Sequence, residues 1–101
     1  MATINKQAEA GKLVQYINND VRMGFSAALR YDTVLLSFTG YGEEFEISLE
    51  FSHEYKVWML DFCQYSVKGR LPNFASHKSQ LGFITLAIAK YNVALEKRLS
   101  K

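Results

Sequence analysis

Apolar residues recur at helical spacing along the first segment of the chain, from about Thr3 to Asn18. The apolar residues that recur at this spacing are Ala8, Ala10, Leu13, Val14 and Ile17. Thr3 is a suitable N-cap, and the polar run that begins at Asn18 is typical of a helix end. The pattern predicts a helix here, in which Gly11 lowers the helix propensity by about 1 kcal/mol relative to alanine.

After Asp20 the period changes to two, the alternation expected of strands with one buried face. Three strands are predicted, over residues 21–31, 34–39 and 44–51. A turn at Asp32-Thr33 joins the first two, and the glycines of Gly40-Tyr41-Gly42-Glu43 suit a hairpin loop that needs a positive φ. The third strand is the clearest, because its two faces are Phe45, Ile47, Leu49 and Phe51 against Glu44, Glu46, Ser48 and Glu50. These patterns predict an antiparallel meander with one solvent-exposed face.

From Ser52 the spacing of the apolar residues lengthens again. The residues that share one face of a helical projection are Tyr55, Trp58, Met59, Phe62 and Tyr65. Ser52 is a suitable N-cap, Gly69 stands where a glycine often follows a helix, and Pro72 comes soon after. A strand is the alternative, but strict alternation fails at Asp61. The pattern therefore predicts a helix over residues 52–68.

The last segment carries the longest apolar pattern, which begins at about Ser76 or Ser79 and ends at Leu99. Its members are three or four residues apart and comprise Leu81, Ile84, Ile88, Tyr91, Leu95 and Leu99. A second group lies off this face and consists of Phe83, Leu86 and Val93. The predicted helix thus carries more apolar surface than one small core buries, which favours contact with a partner protein or a second copy of the chain.

The predicted order of elements is α-β-β-β-α-α. A chain of 101 residues is typically one domain, so residues 1–101 are assigned to a single domain. Helices packed on one face of a three-stranded antiparallel meander place it in the α+β class. The N-terminus lacks the apolar run of a signal peptide, and no stretch approaches ~18 consecutive apolar residues. The expected location is the cytoplasm, with no membrane contact.

Charge is unevenly distributed along the sequence, although the net charge is only +2. Residues 43–61 sum to −5, whereas residues 66–101 sum to +6. An acidic middle and a basic end influence which partners bind and how fast they associate, rather than the fold.

No set of residues predicts catalysis. The chain has one cysteine, Cys63, and two histidines, His53 and His77, so an internal disulfide and a zinc site built from four Cys or His ligands are both excluded. On the predicted helix, His53 and Cys63 point in different directions. We therefore expect no enzyme activity, no cofactor, no metal and no small-molecule substrate.

The sequence favours a small protein-binding module, which would act as a regulator, inhibitor or adaptor. Aromatic residues dominate binding energy at interfaces, and the aromatic candidates, if exposed, are Tyr55, Trp58 and Tyr65. The charged candidates lie on one side of the third strand and are Glu44, Glu46 and Glu50. The partner is another protein or a second copy of this chain. Small chains of this plain composition are common among accessory proteins of phages and mobile elements.

A nucleic-acid-binding domain is the alternative. It would use the basic end of the chain, through Lys68, Arg70, Lys78, Lys97, Arg98 and Lys101. The order α-β-β-β-α resembles that of the double-stranded RNA-binding domain. In that family a lysine cluster opens the final helix, whereas Ser76-His77-Lys78-Ser79 contains one lysine, and Tyr31-Asp32-Thr33 lacks the family's Gly-Pro-x-His turn. The resemblance is confined to the order of elements, and the sequence assigns no family.

Overall fold

The computed structural model describes residues 5–40, 43–67 and 78–100, with side chains described in 5–39, 44–61 and 78–100. Within these ranges the fold has two α-helices, a π-helical turn and a four-stranded antiparallel sheet. The elements are α1 (Lys6–Tyr16), the π-turn (Ile17–Val21), β1 (Phe25–Arg30), β2 (Thr33–Gly40), β3 (Glu43–Ser52), β4 (Val57–Val67) and α2 (Lys78–Leu99). The α+β class is confirmed.

The first α-helix begins later than predicted and ends at Tyr16, two residues before the predicted end. Asn5 caps α1, because its Oδ1 accepts a hydrogen bond from the Ala8 N–H at 3.1 Å; Thr3 lies outside the described residues. The helix then widens into the π-turn, which ends at Val21. Arg22, Met23 and Gly24 follow with φ of 51°, 53° and 88°. Three left-handed residues in succession are incompatible with an extended strand, so β1 begins at Phe25 and the predicted start at Val21 is wrong.

The sheet is a meander in the order β1-β2-β3-β4. Across it, Ala27 of β1 pairs with Leu36 of β2, and Leu36 pairs with Ile47 of β3. The predicted alternation of β3 is confirmed, since all four of its apolar positions are buried while Glu46 and Glu50 are exposed. The hairpin predicted at 40–43 joins β2 to β3, whose last pair is Gly40 with Glu43; residues 41 and 42 lie outside the described residues.

The helix predicted over residues 52–68 is wrong, because this segment forms a turn and then β4. Ser52 Oγ accepts a hydrogen bond from the Tyr55 N–H at 3.2 Å, as an N-cap does. The chain then reverses at Lys56, which has a φ of 59°. Further along, Glu46 pairs with Ser66 and Ser48 with Asp61, so Ile47 alone stands opposite residues 62–65. This bulge interrupts the alternation that identifies a strand in a sequence. Gly69 and Pro72 lie outside the described residues.

Both helices pack on the same face of the sheet, as predicted, with α1 against β1 and β2 and α2 against β4. The apolar face of α2 is confirmed: Leu81, Ile84, Ile88 and Leu95 are buried, and Tyr91 and Leu99 are partly buried against them. The Tyr16 hydroxyl donates to the Ala87 carbonyl at 3.0 Å and joins the two helices. No helix in the described part of the chain is long and apolar enough to cross a membrane.

Candidate functional site

The face of the sheet opposite the core is covered by neither helix. Its side chains alternate with the core positions, because successive residues of a strand point to opposite faces. The acidic members of this face are Glu44, Glu46, Glu50 and Asp61, which we call the acidic sheet face. Glu46 and Glu50 are exposed, and Asp61 is half-buried. Arg30 lies on the same face at the far edge, in β1.

Small side chains of β1 and β2 lie beside Glu46. Ser26 of β1 pairs with Ser37 of β2, which pairs with Glu46 of β3. In the next row across the sheet, Ala28 pairs with Leu35, Leu35 with Ser48, and Ser48 with Asp61. The neighbours of Glu46 on β1 and β2 are therefore short, and Glu46 itself is exposed to a partner.

A shallow depression of about 240 Å³ opens on this face between β3 and β4. Glu50, Met59 and Asp61 lie around it, and Glu50 pairs directly with Met59 across the two strands. Met59 is 50 % exposed. A flexible thioether side chain between two carboxylates offers an adaptable apolar contact inside an anionic surface.

The three aromatic candidates do not form one surface. Tyr55 is 66 % exposed in the turn between β3 and β4, whereas Trp58 is 1 % exposed. Because Trp58 lies on the inner side of β4, it packs edge-on against Phe51 at 5.4 Å between ring centroids. Trp58 was a candidate contact only if exposed, and this condition is not met, because its side chain belongs to the core. The side chain of Tyr65 lies outside the described residues.

The three basic candidates that the structure describes all lie on α2, and one of them has a structural role. Arg98 donates to Glu9 Oε1 at 3.3 Å and Oε2 at 3.0 Å, which links α2 to α1. Burial alone raises the pKa of Glu9, but the hydrogen bond and the charge of Arg98, with Lys12 nearby, lower that pKa below its ordinary value. Lys78 and Lys97 are exposed on α2, about 28 Å apart along the helix axis. Lys68, Arg70 and Lys101 lie outside the described residues.

A groove between the π-turn and α2 was not predicted from the sequence. It has a volume of about 180 Å³, and its lining includes Tyr16, Asp20, Val21, Phe83, Leu86 and Lys90. Phe83 is 43 % exposed and stacks on Phe25, with centroids 6.0 Å apart. The off-face positions of Phe83 and Leu86 were visible in the sequence, but the π-turn that forms the opposite wall has no comparable sequence signature.

Asparagine side chains hydrogen-bond to both outer strands. Asn18 Oδ1 accepts from the Ala27 N–H at 2.8 Å, and its Nδ2 donates to the Ala27 carbonyl at 3.0 Å. Asn92 makes the same two bonds to Trp58, at 2.8 and 2.9 Å. Each carboxamide thus occupies the outward backbone groups that an added strand would need at that residue. Binding by strand addition is disfavoured at these two points.

Metal-binding geometry is not found in the described part of the chain, where no three His, Cys, Asp or Glu side chains are grouped to hold an ion. His53 lies in the turn after β3, with its ring 5.6 Å from that of Phe51. The side chains of Cys63 and His77 are outside the described residues. When the chain was compared with protein-family models, with curated proteins and with solved structures, no match was found.

Proposed function

We propose that this chain is a protein-binding module that engages a basic surface or segment of a partner protein through the acidic sheet face. The observation that carries the proposal is the division of the sheet into two unlike faces. One face is buried under both helices, and the other is left uncovered by them and carries carboxylates along β3 and β4. Regulation, inhibition or bridging of a larger protein are the roles that such a module performs.

The rigidity of the sheet makes the acidic sheet face suitable for recognition. Side chains two residues apart on one strand are separated by about 7 Å, so Glu44 and Glu46 form a fixed pair of anionic positions. Their backbone is already ordered by pairing with β2. A partner therefore loses less affinity to ordering of this surface than it would on a mobile loop.

Electrostatics favours a cationic protein over a nucleic acid. Among the described side chains of this face there are four carboxylates and one arginine, which attract basic partners and accelerate their association. The same field repels phosphates. The alternative basic surface is weakened because Arg98 is engaged by Glu9 and the lysines of α2 are spread along the helix.

Affinity capture from the native cell extract tests the proposal. The baits are the wild type, Glu46→Lys, Glu50→Lys and the matched control Lys97→Glu, each used with and without nuclease at low and high salt. We expect one stoichiometric protein that survives nuclease treatment and is lost at high salt. Each reversal on the acidic sheet face weakens binding of the purified partner by ~10-fold or more, and Lys97→Glu leaves it unchanged.

Two results would contradict the proposal. One is capture that disappears with nuclease and with Lys97→Glu, which would assign the function to the basic residues. The other is a protein partner that binds the wild type and the double reversal Glu46→Lys/Glu50→Lys equally well. The thermal unfolding midpoints of all variants are measured first, so that loss of binding is separated from loss of folding.

A further inference from the structure

We propose that the protein forms a symmetric homodimer in which Tyr55 of each copy inserts into the groove between the π-turn and α2 of the other copy. This contact is separate from the acidic sheet face and leaves that face free for the partner protein.

The groove has the size and lining expected of a receptor for one aromatic ring. Its volume is about 180 Å³, and an apolar cavity of about 150 Å³ is known to hold a benzene molecule. Small-molecule sites are larger, typically about 300–1,000 Å³. The walls combine the aromatic ring of Phe83 and the aliphatic side chains of Val21 and Leu86. The charged residues of the groove are Asp20 and Lys90.

The turn between β3 and β4 carries the complementary group. Tyr55 is 66 % exposed, and its neighbours along the chain are Glu54 and Lys56, both also exposed. An aromatic ring between an anion and a cation matches a groove in which apolar side chains lie between one anion and one cation. In this arrangement Lys56 meets Asp20 of the second copy, and Glu54 meets Lys90 of the second copy.

The turn is held in one conformation before binding. Ser52 accepts two hydrogen bonds within it, at Oγ from the Tyr55 N–H (3.2 Å) and at its carbonyl from the Lys56 N–H (2.8 Å). Lys56 closes the turn with a φ of 59°. A preorganised tyrosine loses little conformational entropy on burial, which is why this residue type is frequent among the residues that dominate interfaces.

Tyr55 is too far from the groove of its own chain to enter it, so the proposed contact is made with a second copy. The placement of the turn and the groove is compatible with a two-fold axis. Asn92 holds Trp58, and with it the turn, beside one flank of α2, whereas Tyr16 bonds to Ala87 on the other flank. The turn therefore lies across α2 from the groove of its own chain. The outer surface of α2 between the two flanks exposes Leu86 and Val93, which are 59 % and 53 % exposed. A two-fold axis along this surface creates two turn–groove contacts and covers both residues.

The test is the oligomeric state of the full chain, measured by sedimentation equilibrium over a wide range of concentrations. We expect a concentration-dependent dimer that Tyr55→Ser weakens by at least 30-fold. Tyr31→Ser is the matched control, because Tyr31 is 85 % exposed in the turn between β1 and β2 and faces no groove in the proposed dimer. We expect it to dimerise as the wild type does.

Charge exchange tests the pairing itself. Lys56→Asp and Asp20→Lys each weaken the dimer, and the double variant restores most of the lost affinity. A wild type that is monomeric at all concentrations overturns the proposal. So do equal effects of Tyr55→Ser and Tyr31→Ser on dimer affinity, or a double variant that dimerises no more tightly than the single ones. Glu46→Lys is expected to dimerise normally, so failure of the dimer and failure of the acidic sheet face are observed separately.

Discussion

Asn92 offers the sharpest test of how the sheet and α2 are joined. Its carboxamide makes two hydrogen bonds to the backbone of Trp58 in the outer strand β4, and the site is partly buried. Asn92→Ala removes both bonds and leaves the N–H and carbonyl of Trp58 without these partners. Little water reaches a partly buried site, so water does not replace the lost partners. The variant is therefore destabilised chiefly by the two backbone groups left without hydrogen bonds.

The expected loss follows from three contributions. Each of the two Trp58 backbone groups left unsatisfied costs about 1–3 kcal/mol when fully buried, and a value of about 1.5 kcal/mol each applies at this partly buried site. The higher helix propensity of alanine returns about 0.6 kcal/mol to α2. We therefore expect Asn92→Ala to lower the free energy of unfolding by about 2–3 kcal/mol, which corresponds to about 10–20 °C in the unfolding midpoint of a domain this small.

Urea unfolding followed by the fluorescence of Trp58 measures this loss, because Trp58 is the single tryptophan and is buried. Asn18→Ala is the matched comparison: it deletes the same pair of bonds, to Ala27, at an exposed site where water replaces them. We expect it to cost less than about 1 kcal/mol. Equal losses in the two variants would refute the argument from burial, and an Asn92→Asp variant as stable as the wild type would refute the role of the Nδ2 donor.

Three further predictions concern α1, its ion pair with α2, and the approach to β1. Arg98→Ala is expected to cost about 1–2 kcal/mol at neutral pH. The folded-state pKa of Glu9 is below its ordinary value of 4.5, so this stabilisation is present above pH 4.5 and is lost as the pH falls through the folded-state pKa; a difference between wild type and variant that persists well below that pKa would contradict it. Gly24→Ala is expected to cost about 2–3 kcal/mol, because Gly24 has a φ of 88° and a Cβ there would lie 2.8 Å from the Thr39 carbonyl oxygen. Gly11→Ala, in a helix with open space around it, is expected to stabilise by about 0.5–1 kcal/mol in the same urea titration.

An element could be predicted from the sequence where its apolar residues face the core and its polar residues face solvent. The alternation in β3 and the apolar face of α2 were each identified correctly. Burial on one side of a strand or helix gives its apolar residues a regular spacing that is visible in the sequence. The three glutamates of the acidic sheet face were visible for the same reason, since they belong to the polar half of the β3 alternation, whereas Asp61 was missed because β4 was predicted as a helix.

The errors occurred where local chemistry was ambiguous. The hydrogen bond between Ser52 and Tyr55 is the same one that begins a helix, and only the reversal at Lys56 distinguishes the turn. The bulge opposite Ile47 then removed the period of β4. The groove could not be predicted, because it joins Asp20 and Lys90 from elements that meet only through tertiary packing.

The two asparagine contacts have different consequences during synthesis of the chain. Asn18 precedes its partner Ala27 by nine residues, so the outer edge of β1 is paired as soon as β1 forms. Asn92 follows its partner Trp58 by 34 residues. Until α2 has folded, β4 therefore has a strand edge that Asn92 does not yet cover, together with an apolar sheet face that α2 has yet to cover. This interval is when the nascent chain is most exposed to aggregation and most dependent on chaperones.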